Sequence, residues 1–391
     1  MASRLVLVAL MAASAAPMLA QGNNVTETSR WVAVDRDSGQ LVASDGGRLY
    51  LRSLANASPQ QIAISTPARF IPLQLSGPHL AGVVGGGEGD PGFFTILSRD
   101  GTAVNRCWEN PSQCLDWGAN PTLSADGSAV VLVSFDPSRR LTLLRSCRLP
   151  ALDCVVDELP GTPAGLHWAL GFRDALVILD EGLTRVHDGH IQWRGSWPIS
   201  AYGGPRVTDV TTSEVLVTEP FAGAVHVFSL DEGRHAFSWR ADEDRGGFAR
   251  AMGGKTWQDA VLARCTSRVE GGSPLLPEEV IPAGYRAGWR AMAAGMALDG
   301  GTAALLPGGD LLVIGGKGSS GHLECRGPRR VWVVHRTTGT VGASQELATL
   351  LENPGVADSW GSVRLTRGPA GPWYLCSDRG CSELHVHRLT Q

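Results

Sequence analysis

One short strand-like motif recurs along the 391-residue chain. Its clearest copy is VWVV at residues 331–334, where β-branched residues and a tryptophan suit the pleated surface of a β-strand. Successive copies begin 42 to 53 residues apart, except for one interval of 106 residues. The copies begin at Leu49, Phe94, Leu141, Leu183, Val225, Val331 and Leu384. A period of about 40–50 residues in β-rich sequence is typical of propeller blades. The chain therefore predicts an all-β fold, a seven-bladed β-propeller of four-stranded antiparallel blades.

The sequence around the copies supports antiparallel strands. In residues 311–347, the apolar runs LLVI and VWVV flank a glycine-rich polar stretch, and RTTG then supplies a turn before another extended segment. The interval of 106 residues leaves room for an eighth blade. Residues 373–389 repeat the pattern of residues 41–54. We therefore expect both ends of the chain to pair within one blade, which would remove the exposed sheet edges.

The first 20 residues have the pattern of a signal peptide. Arg4 provides the positive region, residues 5–16 the apolar region, and residues 18–20 the small-residue cleavage site. Residues 21–28 are then a short N-terminal segment, and residues 29–391 are the propeller, with an insertion around residues 246–294. No other segment approaches the roughly 20 apolar residues that a membrane span needs. We expect a secreted or periplasmic protein.

Eight cysteines in an exported chain favour disulfides. Two pairs enclose six residues each and are displaced by 40 residues, and a third pair encloses four. A two-strand hairpin brings such positions within disulfide reach, and the last two cysteines pair by elimination. The predicted bonds are Cys107–Cys114, Cys147–Cys154, Cys376–Cys381 and Cys265–Cys325. Zinc is disfavoured, because CxxC spacings and adjacent histidine ligands are absent from the sequence.

The insertion at residues 246–294 is the least regular part of the chain. Long loops in compact domains are commonly functional. This one contains Trp257, Tyr285 and Trp289, and aromatic residues are prominent in binding hot spots. We therefore predict that these three residues face a partner or a ligand. Asn24 and Asn56 begin glycosylation sequons, which have meaning only if the source is eukaryotic.

The sequence offers no recognisable catalytic motif. It lacks a nucleophile elbow, an HExxH motif, a Rossmann helix and an iron-binding cysteine spacing. We predict no catalytic residue, no cofactor and no metal site, and the sequence identifies no small-molecule ligand. The placement of the scattered polar residues His79, His167, Asp209 and His322 is left open. A net charge of −4 without clustered Lys and Arg argues against a nucleic-acid partner.

Several segments share their blade-type sequence with one known family. They are residues 214–234, YRAGW at 285–289, LLVI at 311–314, the pair Gly321-His322, and RRVWVVHRTTG at 329–339. These segments resemble the heavy subunit of methylamine-type (amine) dehydrogenases, a periplasmic seven-bladed β-propeller. In that family the heavy subunit holds no cofactor, because the quinone lies on a small separate subunit. The resemblance implies that the partner is another protein subunit and that no catalytic residue carries over.

These observations predict an exported, non-catalytic β-propeller that acts as a binding or scaffold subunit. The resemblance implies an amine-dehydrogenase-like redox complex as its assembly. Two other classes of function remain open. One is a self-sufficient propeller hydrolase or lyase that uses channel-facing acids, and the other is a ligand or glycan sensor that uses exposed tryptophans.

Overall fold

The structure is a computed structural model. It describes fifteen stretches of the chain. They are residues 32–34, 40–45, 48–53, 60–62, 70–84, 92–110, 113–115, 121–197, 204–220, 222–240, 301–315, 329–358, 363–367, 372–377 and 379–389.

Two compact units divide the chain: residues 1–159 with 169–173, and residues 160–168 with 174–391. The first unit contains a four-stranded sheet of order β1-β2-β3-β4, a three-stranded sheet β5-β6-β7, and a four-stranded sheet β11-β10-β9-β8. The strands are β1 (Val32–Val34), β2 (Gln40–Asp45), β3 (Arg48–Ser53), β4 (Gln60–Ile62), β5 (Phe70–Ser76), β6 (His79–Val84), β7 (Phe93–Ser98), β8 (Thr122–Leu123), β9 (Ala129–Asp136), β10 (Leu141–Arg148) and β11 (Asp153–Pro160).

The other sheets are β12-β13-β14-β15, β16-β17-β18-β19, β20-β21-β22-β23 and the three-stranded β24-β25-β26. Their strands are β12 (Trp168–Gly171), β13 (Asp174–Leu179), β14 (Gly182–His187), β15 (His190–Gly195), β16 (Arg206–Val210), β17 (Glu214–Glu219), β18 (Ala224–Ser229), β19 (His235–Arg240), β20 (Thr302–Leu305), β21 (Leu311–Ile314), β22 (Arg330–His335), β23 (Thr340–Glu346), β24 (Arg364–Arg367), β25 (Trp373–Ser377) and β26 (Gly380–Leu384). Short 3-10 helices span Leu347–Leu350, Pro354–Asp358 and Val386–Leu389. The fold is thus all-β, with the four-stranded antiparallel blades of a propeller.

The predicted number of blades is wrong. Six of the seven predicted motif copies coincide with the third strand of a sheet, namely β3, β7, β10, β14, β18 and β22. The seventh copy does not, because β26 ends at Leu384 and a 3-10 helix follows it. If a blade is counted where the motif forms the third strand of a sheet, the described residues contain six blades. The described C-terminal sheet β24–β26 lacks that motif and has three strands.

Irregular backbone occupies the edge of each three-stranded sheet. Beside β7, single bridges join Phe94 to Leu115 and Leu97 to Ala103. Beside β26, a single bridge joins Leu351 to Leu384, and the His385 backbone N–H donates to the Leu350 carbonyl at 2.9 Å. These segments satisfy part of each edge without forming a regular fourth strand.

The two chain ends do not share a sheet among the described residues. The first sheet draws all four strands from residues 32–62, and β24 to β26 come from residues 364–384. The expected closure within one blade is therefore wrong for the described strands. Residues 41–54 and 373–389 have similar sequences because each stretch contains a β-hairpin. A shared hairpin pattern does not require the two hairpins to pair with each other.

Burial changes from the inner to the outer strands of a blade. Residues 129–133 of β9 are all buried, which explains their unbroken apolar run AVVLV. In contrast, six of the eight residues of β11, the outer strand of the same sheet, are exposed. In the second unit, side chains from β21, β22, β25 and the 3-10 helices at 347–350 and 354–358 form one apolar cluster.

Candidate functional site

Three of the four predicted disulfides are present. Cys107–Cys114 closes the loop after β7, Cys147–Cys154 joins β10 to β11, and Cys376–Cys381 joins β25 to β26. Such bonds are typical of proteins in an oxidising, extracellular environment. The fourth predicted bond, Cys265–Cys325, lies outside the described residues, as do the signal segment and the predicted partner and glycosylation sites Trp257, Tyr285, Trp289, Asn24 and Asn56.

Strand β11 is the described strand that is most exposed. Val155 and Val156 are 37% and 48% exposed, and they are adjacent, so they project from opposite faces of the strand. Asp153 and Cys154 are also exposed. The first half of β11, residues 153–156, therefore exposes apolar surface to solvent on both faces of the strand. Further along the strand, Glu158 is exposed and Leu159 is buried.

Three contacts fix β11 in place. The Cys147–Cys154 bond ties its second residue to β10. An Arg173 Nη2 donates to Asp157 Oδ1 at 2.7 Å in a mostly buried ion pair. Both guanidinium Nη atoms of Arg139 donate to the Glu158 carboxylate at 2.6 Å, in an exposed pair. The strand is thus a rigid edge rather than a loosely held one.

Polar side chains of the second unit connect neighbouring sheets. The Asp209 carboxylate on β16 accepts a hydrogen bond from the Leu305 backbone N–H on β20 at 3.0 Å. Arg336, which follows β22, binds Glu214 of β17 at 2.9 Å, and Arg336 Nη1 also donates to the Gly309 carbonyl at 3.1 Å. These contacts hold β16–β19 against β20–β23. They give Asp209 a structural role.

An aspartate–histidine pair lies beside Arg336. His335 Nδ1 donates to Asp310 Oδ2 at 2.8 Å, and the Arg336 backbone N–H donates to Asp310 Oδ1 at 3.1 Å. Partial burial tends to raise the pKa of Asp310, but these hydrogen bonds and the nearby positive charges lower it below its ordinary value. The pair holds the β20–β21 turn against the end of β22, and we call this arrangement a turn clamp.

A second acid–histidine pair is buried within the β17–β18 hairpin. His226 Nε2 lies 3.3 Å from Glu219 Oε2, and the two side chains are 6% and 2% exposed. The Trp197 ring lies 5.5 Å from the His226 ring, and the exposed His235 ring lies 5.8 Å from it. Burial first, and then the charge of His226, lower the pKa of His235 below its ordinary value. The burial of both members makes this pair a core element rather than a surface that a substrate can reach.

The other histidines singled out in the sequence have separate positions. His79 is buried in the first unit, with Nδ1 2.7 Å from the Gly127 carbonyl oxygen. His167 is also buried, and His322 lies outside the described residues. Within the described stretches, no group of three or more His, Cys, Asp or Glu side chains is placed to hold a metal ion. No helix in this part of the chain is long and apolar enough to span a membrane.

Sequence reasoning missed the exposed β11 and the polar clamps. The segment DCVVDELP was not recognised as a strand, because acids interrupt its apolar residues. Asp310 lies 25 positions before His335, too far in sequence for the pattern to signal their contact. One sequence signal for this outer strand is the apolar pair Val155-Val156, which lies between Cys154 and Asp157.

No family model and no curated protein matches the chain. Solved structures that are similar include virginiamycin B lyase from Staphylococcus aureus, at 9% identity, covering 93% of this chain and 97% of that chain, with a TM-score of 0.48. The WD40 β-propeller domain of Doa1 matches at 10% identity, covering 92% and 93% of the two chains, with a TM-score of 0.43. YCF48 bound to the D1 peptide matches at 10% identity, covering 93% and 96%, with a TM-score of 0.44. These comparisons do not show a relationship to amine dehydrogenases.

Proposed function

We propose that this chain is an exported, non-catalytic β-propeller that binds another protein as a binding or scaffold subunit. The observation that supports this proposal most directly is β11, a rigid outer strand that exposes Val155 and Val156. Exposed apolar side chains on a strand edge favour association with another chain. Within the second unit, Asp209 and Arg336 connect neighbouring sheets, as a rigid scaffold requires.

The partner that we propose is a small redox subunit, as in the amine dehydrogenases that the sequence resembles, and the compartment is the periplasm or the extracellular space. The insertion at residues 246–294 would supply further contacts through Trp257, Tyr285 and Trp289. In this arrangement the chain holds no cofactor of its own. Its role is to position the subunit that does.

The test begins with the native protein, isolated with whatever binds it under mild crosslinking. We expect a small protein to copurify, and the isolated chain to show neither amine oxidation nor cofactor absorbance. Trp289→Ala should weaken partner capture about tenfold or more, as loss of a hot-spot residue does. Ile191→Ala, which removes an exposed apolar side chain from β15, is the matched control and should bind normally. Turnover by the purified chain, or isolation without any bound protein, would refute the proposal.

A further inference from the structure

We propose that the outer edge of β11 accepts an extended segment of a partner protein as an additional β-strand, and that this segment carries two adjacent apolar residues and a basic residue two positions from one of them. This inference rests on the proposed function and names the mode and chemistry of binding. It concerns a site in the first unit that is separate in sequence from the insertion at residues 246–294.

The backbone of β11 is suited to strand addition. This strand stands at the end of its sheet, in the order β11-β10-β9-β8. In any edge strand, alternate residues direct their N–H and C=O groups away from the sheet. β11 is eight residues long, and among the described residues no backbone hydrogen bond outside its sheet involves residues 153–159. A partner strand would satisfy these outward groups through main-chain hydrogen bonds.

The exposed side chains define what an added strand should carry. Val155 and Val156 project from opposite faces, so an added strand finds an apolar neighbour on each face of the extended sheet. Cross-strand contacts between β-branched residues stabilise a strand pair by a few tenths of a kcal/mol up to about 1 kcal/mol each. Apolar residues of the partner opposite these two valines would contribute such contacts.

The charge of β11 specifies the polar residues of the partner. The strand contains Asp153, Asp157 and Glu158 and no basic residue. Arg173 and Arg139 bind the second and third of these acids, and Asp153 makes no ion pair in the described structure. A basic side chain opposite Asp153 would therefore complement the edge. Two copies of β11 paired together would bring six acids into one sheet, which argues for a different, basic segment as the occupant.

The edge is also preorganised for binding. The Cys147–Cys154 bond and the Arg173–Asp157 ion pair hold the strand before any partner arrives. Because less conformational freedom remains to be lost, more of the contact energy contributes to affinity. A loosely held edge would lose this advantage.

The experiment uses three labelled peptides with the oxidised, full-length mature chain. The first is an eight-residue peptide of sequence Thr-Arg-Thr-Val-Val-Thr-Arg-Thr, which can place valine opposite both Val155 and Val156 and arginine opposite Asp153. The second has the same sequence with alternate backbone nitrogens methylated, and the third has glutamate in place of arginine. We expect the first peptide to bind, and each of the others to bind at least about tenfold more weakly in fluorescence anisotropy, a change of about 1.4 kcal/mol. Hydrogen exchange should slow at alternate amides of residues 153–158 when the first peptide is bound.

Asp153→Asn should weaken the first peptide several-fold without changing the melting temperature, and Asp188→Asn, an exposed aspartate on the β14–β15 turn, should have no effect. Equal binding of the methylated peptide, protection elsewhere, or no binding up to about 1 mM would overturn the inference. If the native partner copurifies but leaves the β11 amides unprotected, the inference fails and the proposed function stands. If no partner copurifies, the proposed function itself fails.

Discussion

Replacing Asn105 with alanine tests how the three-stranded sheet of the first unit is completed. Asn105 is fully buried and lies in the loop after β7. Its Oδ1 accepts a hydrogen bond from the Ile96 backbone N–H at 2.6 Å, and its Nδ2 donates to the Phe94 carbonyl at 3.0 Å. One side-chain amide thus makes the two hydrogen bonds that a neighbouring strand would make to this part of β7.

The cost of the substitution follows from those two contacts. Asn105→Ala leaves the Ile96 backbone N–H without its described acceptor and removes one hydrogen bond from the Phe94 carbonyl. An unsatisfied buried donor costs about 1–3 kcal/mol and a lost hydrogen bond about 0.5–1.5 kcal/mol, so the substitution should lower the free energy of unfolding by about 1.5–4.5 kcal/mol. Entry of a water molecule into the space that the amide leaves would move the result toward the lower value.

Urea denaturation of the oxidised protein measures this loss, and amide hydrogen exchange locates it. We expect the Ile96 amide to lose protection first, because its only described acceptor is Asn105 Oδ1. Gln113→Ala is the control, since Gln113 accepts from the exposed backbone N–H of Arg106, which water can satisfy in its place. If Asn105→Ala destabilises no more than the control, the amide does not replace a strand and the reasoning is wrong.

Three further changes test the contacts that hold strands together. Removing the Cys147–Cys154 bond by a double serine substitution should lower the free energy of unfolding by about 2–3 kcal/mol in denaturant titrations, if the chain-entropy model holds; an unchanged midpoint would contradict it. Arg336→Met should lower the free energy of unfolding by about 1–2 kcal/mol, because it breaks a mostly buried charged hydrogen bond to Glu214. Arg139→Met, which breaks an exposed pair, should lower it clearly less, and equal losses would contradict this reasoning. The lowered pKa of Asp310 contributes stability above its unfolded value of about 3.9 that is lost as the pH falls through the folded value. Asp310→Asn should therefore reduce the acid-induced fall in melting temperature, and an unchanged pH profile would refute this.

The sequence predicted the local features because their causes are local. The third strand of six sheets was found from runs of β-branched residues, whose preference for a pleated surface does not depend on distant contacts. Cys147–Cys154 and Cys376–Cys381 were found because hairpins bring residues five to seven positions apart into reach. The seventh motif copy failed because Leu384 and Val386 are spaced as in a strand, whereas Val386–Leu389 form a 3-10 helix. Alternation alone does not distinguish the two over so few residues.

By itself, the sequence determined the fold class, the strand motif of the repeat and three disulfides. It did not determine which side chain completes a sheet, or which strand is left exposed. Asn105 replaces a strand edge, Arg336 reaches Glu214 across 122 positions, and β11 stands at the edge of its sheet. Each of these depends on where distant segments come together. Hydrogen bonds and burial are properties of position in space, so only the tertiary structure decided them.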